Sequence, residues 1–148
     1  MSQGRTRASR IAFSAILFIV GAVSVFVSLN VAFGGLRTLG WQGPTDYFSI
    51  ADQAQFAIRD NHARFFGGMF LALGLFLMLA ATNVARYRSA LLLAFALIFA
   101  GGLARLTQLQ FDITFGPAIV VSAAAELVLM PVLFVWLLRR RADSEPVA

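Results

Sequence analysis

A chain of 148 residues that is 59% hydrophobic and only 13% charged, with a mean hydropathy of +0.80, is not a soluble globular domain, for which about 25% charged residues is ordinary. All 12 basic residues are arginine and cysteine is absent, which excludes lysine Schiff-base chemistry, disulfides, thiol nucleophiles, iron–sulfur clusters and cysteine-type zinc sites. The net charge of +5 is carried by arginines flanking apolar runs, with no cluster of cations and aromatics on a soluble face, so nucleic acid is not an expected partner.

The first apolar run, 11–33, is long enough to cross a hydrocarbon core that needs about 20 helical residues. It exceeds the h-region of a signal peptide and is expected to stay uncleaved. Gly34-Gly35 ends it. The following outer loop, 34–60, contains TDYFSIADQAQFAI. There Tyr47, Ile50, Ala51, Ala54 and Ile58 recur at helical spacing, predicting a short amphipathic helix on the outer interface, as an anchor or as a lid.

Three further spans follow, at 63–81, 89–108 and 117–138. Asn61 reads as the N-cap of the second, and Pro117 suits the first turn of the fourth. Arg5, Arg7, Arg10, Arg86, Arg88 and Arg139 to Arg141 all fall on one side of such a topology. The other side receives Arg37 and Arg59 among several aspartates. The positive-inside rule then puts both termini, and a tail at 139–148, in the cytoplasm. The expected architecture is a single all-α domain, an integral membrane up-and-down four-helix bundle with the short interfacial helix in its first outer loop. Its arginine flanks add contact with anionic headgroups, making membrane lipids expected partners. Trp41 and Trp136 lie near opposite interfaces, as aromatic belts do.

Within this frame one carboxylate stands out. Glu126 is nine residues past Pro117, roughly 13 Å down at about 1.5 Å per residue and near the midplane of a ~30 Å core. An ionisable group there costs about 2.5 to 3.5 kcal/mol and usually faces a bundle interior with a partner. Arg105 is a candidate partner, and so is Ser122 on the same helical face. Arg64, Gly67, Leu71 and Gly74 line one face of the second span, and Gly101, Arg105 and Gln108 one face of the third. Each span thus sets an arginine beside a Gly-Gly pair, in opposite sequence order, which fits a short inverted repeat. Pro131 is expected to kink the fourth span below Glu126.

The candidate site is therefore an outward-facing polar pocket of Asn61, His62, Arg64, Arg105, Gln108 and Glu126. An Arg–Glu pair can equally be a packing and orientation device, and His62 reads as a headgroup contact before a ligand. No metal constellation and no nucleophile–base pair is apparent, so no catalytic residue and no cofactor is assigned.

The stretch DNHARFFGGMFLALGL, the later GGLARL and VLMPVLFVW after Glu126 together resemble the bacterial membrane family catalogued as domain of unknown function 4345, over roughly 11–136. Its most specific parts are the run at Asn61, His62, Arg64, Gly67 and Gly68 and the run at Gly101, Gly102 and Arg105. The resemblance implies a compact four-helix protein of a bacterial inner membrane and brings no activity with it. A looser similarity to small DoxX-like four-helix proteins implies no redox role, given the absence of cysteine and paired histidines. Three functional classes stay open. The first is a binding or accessory module for an anionic amphiphile, lipid or quinone-like, or one docked on a larger membrane complex. The second is a small proton-coupled transporter using Glu126, and the third, less favoured, is a membrane enzyme.

Overall fold

A computed structural model describes residues 2–41, 52–108, 110–114, 116–117 and 119–142. Among them there is no strand, and four helices are long and apolar enough to cross a membrane: Arg7–Arg37, Gln53–Thr82, Arg88–Arg105 and Val120–Arg140. The protein is all-α and of multi-pass membrane type. Its chain divides into two compact units, Met1–Asn83 and Val84–Ala148, each organised around one helix pair.

In the first unit, α1 spans Ser2–Gly34 and α2 spans Gln53–Thr82. At 33 residues, α1 is about 50 Å long, well beyond a ~30 Å core, so its arginine-bearing N-terminal turns extend past the apolar run. Gly35, at φ +64°, takes the left-handed conformation that ends many helices,. A 3₁₀ turn, Gly35–Arg37, follows, and the Thr38 N–H donates to the Gly35 carbonyl.

The pair is antiparallel and backbone-close. A β-carbon on Gly67 would lie 2.5 Å from the Ala32 nitrogen, and one on Gly74 would lie 2.9 Å from the Val25 nitrogen. Bare glycines are what let the two backbones approach, a packing mode suited to membrane helices, where lipid offers no hydrophobic drive for helix association. Around this seam Phe13, Leu17, Leu77 and Ala80 are buried.

α2 begins ten residues earlier than the sequence predicts. Asp52 is its N-cap, its Oδ1 accepting from the Ala54 and Gln55 N–H groups at 2.9 and 3.1 Å, which satisfies two donors that a helix start leaves open. Asn61 is therefore an interior residue of α2 and does not cap it. Of the expected interfacial helix, Ala54 and Ile58 belong to the first turns of α2. Tyr47, Ile50 and Ala51 lie outside the described residues.

In the second unit, a turn at 84–87 leads into α3, Arg88–Arg105, which runs on through a 3₁₀ turn, Leu106–Gln108. A one-turn α4, Phe111–Thr114, precedes the fourth span. That span comprises α5 (Val120–Ala124), a π-helical turn (Ala125–Leu129) and α6 (Met130–Ala142). Pro117 lies in the turn ahead of α5, which starts three residues later than expected, and the Gly116 carbonyl accepts from the Ile119 and Val120 N–H groups. Leu91, Ala94, Phe95, Ala123, Met130, Leu133 and Leu137 are buried. At the α3 N-terminus the Arg88 guanidinium donates from Nη1 to the Leu137 carbonyl and from Nη2, at 3.4 Å, to that of Leu138, fixing α3 antiparallel to α6.

Candidate functional site

Arg105 closes α3 and Glu126 is the second residue of the π-helical turn, and the second unit brings the two together. Arg105 Nε donates to Glu126 Oε2 at 2.6 Å and Nη2 to Oε1 at 2.9 Å, a fork-on-fork geometry that fixes both planes. Gly102, one turn before Arg105, is buried; a β-carbon there would lie 2.8 Å from Glu126 Cβ and 3.0 Å from Leu127 Cδ2. The bare glycine is what lets the carboxylate-bearing helix come within reach. The two side chains are unequally sheltered, Arg105 being 42% exposed and Glu126 14%. Among the described residues, Arg105 Nη1 has no protein acceptor.

Three expectations change here. Because the helix starts at Val120, Glu126 is about 9 Å along it, where a start at Pro117 made that distance roughly 13 Å. The Ser122 hydroxyl donates to the Ile119 carbonyl at 2.8 Å, within its own helix, so it is spent away from Glu126. The expected feature at Pro131 takes the form of a π turn: the Met130 N–H donates to the Ala125 carbonyl, five residues back. Proline has no N–H and its ring crowds the carbonyl four residues earlier, so a widened turn just before it relieves the clash.

In the first unit a second arginine is paired with a different carboxylate. Asp60 Oδ2 accepts from Arg64 Nε at 2.7 Å, and its Oδ1 accepts from the Leu36 N–H at 2.8 Å. Arg64 Nη1 donates to the Phe33 carbonyl at 2.6 Å. Asp60 and Arg64 thus bind α2 to the exit of α1, satisfying one donor and one acceptor that the helix end would otherwise strand. Asn30, fully buried on α1, accepts the Leu39 N–H on its Oδ1 at 2.6 Å and holds the same turn from beneath.

Three candidate residues remain. Asn61 and His62 are exposed on α2. Gln108 ends the 3₁₀ turn after α3, and its side chain lies outside the described residues. Of the six, Arg105 and Glu126 bond to each other, while the carboxylate that holds Arg64 is Asp60, which the sequence reading left among the loop acids. Its signal was the Asp–Arg spacing of four on a helix. Asn30 had a signal too, an amide inside an otherwise apolar run. Among the described residues no group of three His, Cys, Asp or Glu side chains could hold a metal ion.

The sequence profile of a family described as a domain of unknown function, DUF4345, matches residues 12–137, a stretch that reaches into all four spans and includes both arginine pairs. No curated protein and no solved structure matches the chain, so the looser likeness to DoxX-like proteins gains no support.

Proposed function

We propose that this chain, which belongs to the DUF4345 family, is a membrane-embedded binding or accessory module that holds an anionic amphiphile, a lipid or a quinone-like molecule, against Arg105. The observation that carries the reading is the unequal shelter of the pair. Glu126 is 14% exposed and saturates one edge of the guanidinium, whereas Arg105 is 42% exposed and keeps Nη1 outside the pair. A carboxylate so placed holds the guanidinium rigid, and the open edge meets an anionic headgroup without first paying for side-chain ordering. The arginine distribution along the chain supports an inner-membrane topology with both termini in the cytoplasm, which turns the Arg105 end outward.

The test is mass spectrometry of protein extracted in a mild detergent, wild type against Arg105→Ala and Arg64→Ala/Arg105→Ala. A small molecule that co-purifies with wild type and is lost with Arg105 supports the pocket. A stoichiometric protein partner retained by every variant supports docking on a larger complex. Wild-type protein carrying neither sinks the proposal.

One observation favours the second reading, a proton-coupled transporter. Glu126 sits in a π-helical turn, and such turns are frequent at functional sites. Under that reading Glu126→Gln abolishes transport in proteoliposomes with helicity unchanged; a variant that loses its helicity instead marks a structural carboxylate.

A further inference from the structure

A groove of about 990 Å³ runs along the first helix pair at the end opposite Asp60, between the N-terminal half of α1 and the last turn of α2. It is lined by Arg7, Arg10, Ser14, Phe18 and Ile19 on α1 and by Ala81 and Thr82 on α2, among others. With Ile11 and Ala15, which also line it, these α1 residues recur at intervals of three and four, one continuous stripe with its cations at the start and apolar side chains beyond.

Arg7 and Arg10 differ from Arg64, Arg88 and Arg105, each of which is committed to a carboxylate or to main-chain carbonyls. Among the described residues neither has a hydrogen-bond or ion-pair partner. Past them Phe18 and Ile19 are 48% and 60% exposed. Two unpartnered guanidinium groups at one end of an open, apolar-walled trough match a ligand with an anionic head and a hydrocarbon tail, since guanidinium forks suit phosphate oxygens. The stripe has the right direction as well, because it passes from the juxtamembrane arginines into the apolar run. We infer that this groove is a specific site for an anionic phospholipid, its phosphate on Arg7 and Arg10 and one acyl chain along Phe18 and Ile19. Arg105 does not line this groove, and the inference does not depend on the reading proposed for that residue.

The inference is tested on full-length protein in nanodiscs of phosphatidylethanolamine containing a small fraction of phosphatidylglycerol, with retained lipid counted by native mass spectrometry after release into detergent. Four proteins are compared: wild type, Arg7→Gln/Arg10→Gln, Ala15→Trp, and Arg139→Gln/Arg140→Gln. Ala15 lines the groove and is exposed, so a tryptophan there fills the trough with the charge left intact. Wild type is expected to retain phosphatidylglycerol preferentially. Arg7→Gln/Arg10→Gln should lower retention about 25-fold, equivalent to about 2 kcal/mol at 1.4 kcal/mol per tenfold. Ala15→Trp should lose the bound lipid as well, whereas Arg139→Gln/Arg140→Gln should keep it. Equal losses in the two arginine-pair variants would reduce the effect to general charge attraction and overturn the site, as would full retention by Ala15→Trp. Retention of phosphatidylethanolamine and phosphatidylglycerol in equal measure by wild type would overturn it too.

Discussion

Gly102 faces Glu126 so closely that a β-carbon on the glycine would lie 2.8 Å from the glutamate Cβ. That contact sets the reach of the Arg105 fork, because Arg105 is three residues further along the same helix. The neighbouring Gly101 has nothing within 4 Å of its would-be β-carbon. Gly102→Ala should therefore cost about 1–3 kcal/mol, as overpacking of a tight seam does. Gly101→Ala should be neutral or stabilising by about 0.5–1 kcal/mol, since alanine is the better helix former. Unfolding followed by circular dichroism in mixed detergent with graded dodecyl sulfate reads both. Equal effects from the two substitutions would mean that the seam does not exist.

Removing either member of the Arg105–Glu126 pair should cost unequally. Without Arg105, a carboxylate only 14% exposed is left without its partner, and Arg105→Ala is expected to destabilise by about 2 kcal/mol. Without the charge on Glu126, a guanidinium already 42% exposed can swing to water or headgroups, and Glu126→Gln should cost about 1 kcal/mol or less. The double variant Arg105→Ala/Glu126→Gln should be more stable than Arg105→Ala alone. The same unfolding assay supplies the cycle, and a double variant less stable than both singles would refute the greater shelter of Glu126 as the source of the difference.

The turn after α1 offers a contrast between two glycines. Gly35 and Gly40 both have positive φ, +64° and +79°. A β-carbon on Gly35 would fall 2.0 Å from Asp60 Oδ1, while one on Gly40 meets nothing within 4 Å. Gly40→Ala should cost only the conformational penalty, about 1–2 kcal/mol. Gly35→Ala should cost clearly more because it must also expel the carboxylate that holds Leu36 and Arg64. Adding Asp60→Ala to Gly35→Ala should then cost less than Asp60→Ala does in the wild-type background, a non-additivity expected of direct contact. Strict additivity would show that Asp60 yields freely.

The four spans could be read from sequence because each is a long apolar run bounded by arginine, glycine or proline, and membrane insertion leaves such runs little alternative to helix. The early start of α2 was hidden for the converse reason. Its first turns are polar and amphipathic, so hydropathy broke at Asp60, although Asp52 with Gln55 three residues later carried the pattern of a helix start. Arg105 and Glu126 stood out because an intramembrane carboxylate is costly alone. Asp60 did not, since assigning it to a loop made its charge unremarkable. Which glycine of each Gly-Gly pair faces the neighbouring helix was not legible, because adjacent residues differ by about 100° around the axis and only the packed partner decides between them.

Pro131 supplies a last test, of what holds the π-helical turn open. Proline cannot donate to Leu127, four residues before it, and the wide turn at Ala125–Leu129 ends just ahead of it. Alanine at that position restores the missing donor, allowing the turn to close into regular α-helix. Closing a one-residue bulge rotates everything before it by about 100° and shifts it by about 1.5 Å relative to α6. Met130, Leu133 and Leu137 are buried and hold α6 in place, so Glu126 is the side that must move. In a Pro131→Ala background the coupling between Arg105 and Glu126, measured by the same double-mutant cycle, should fall by at least about half. Amide exchange over residues 126–131 should slow as regular hydrogen bonds form. Unchanged coupling with unchanged exchange would mean that packing against Gly102, with no help from the proline, fixes the turn and aims the carboxylate.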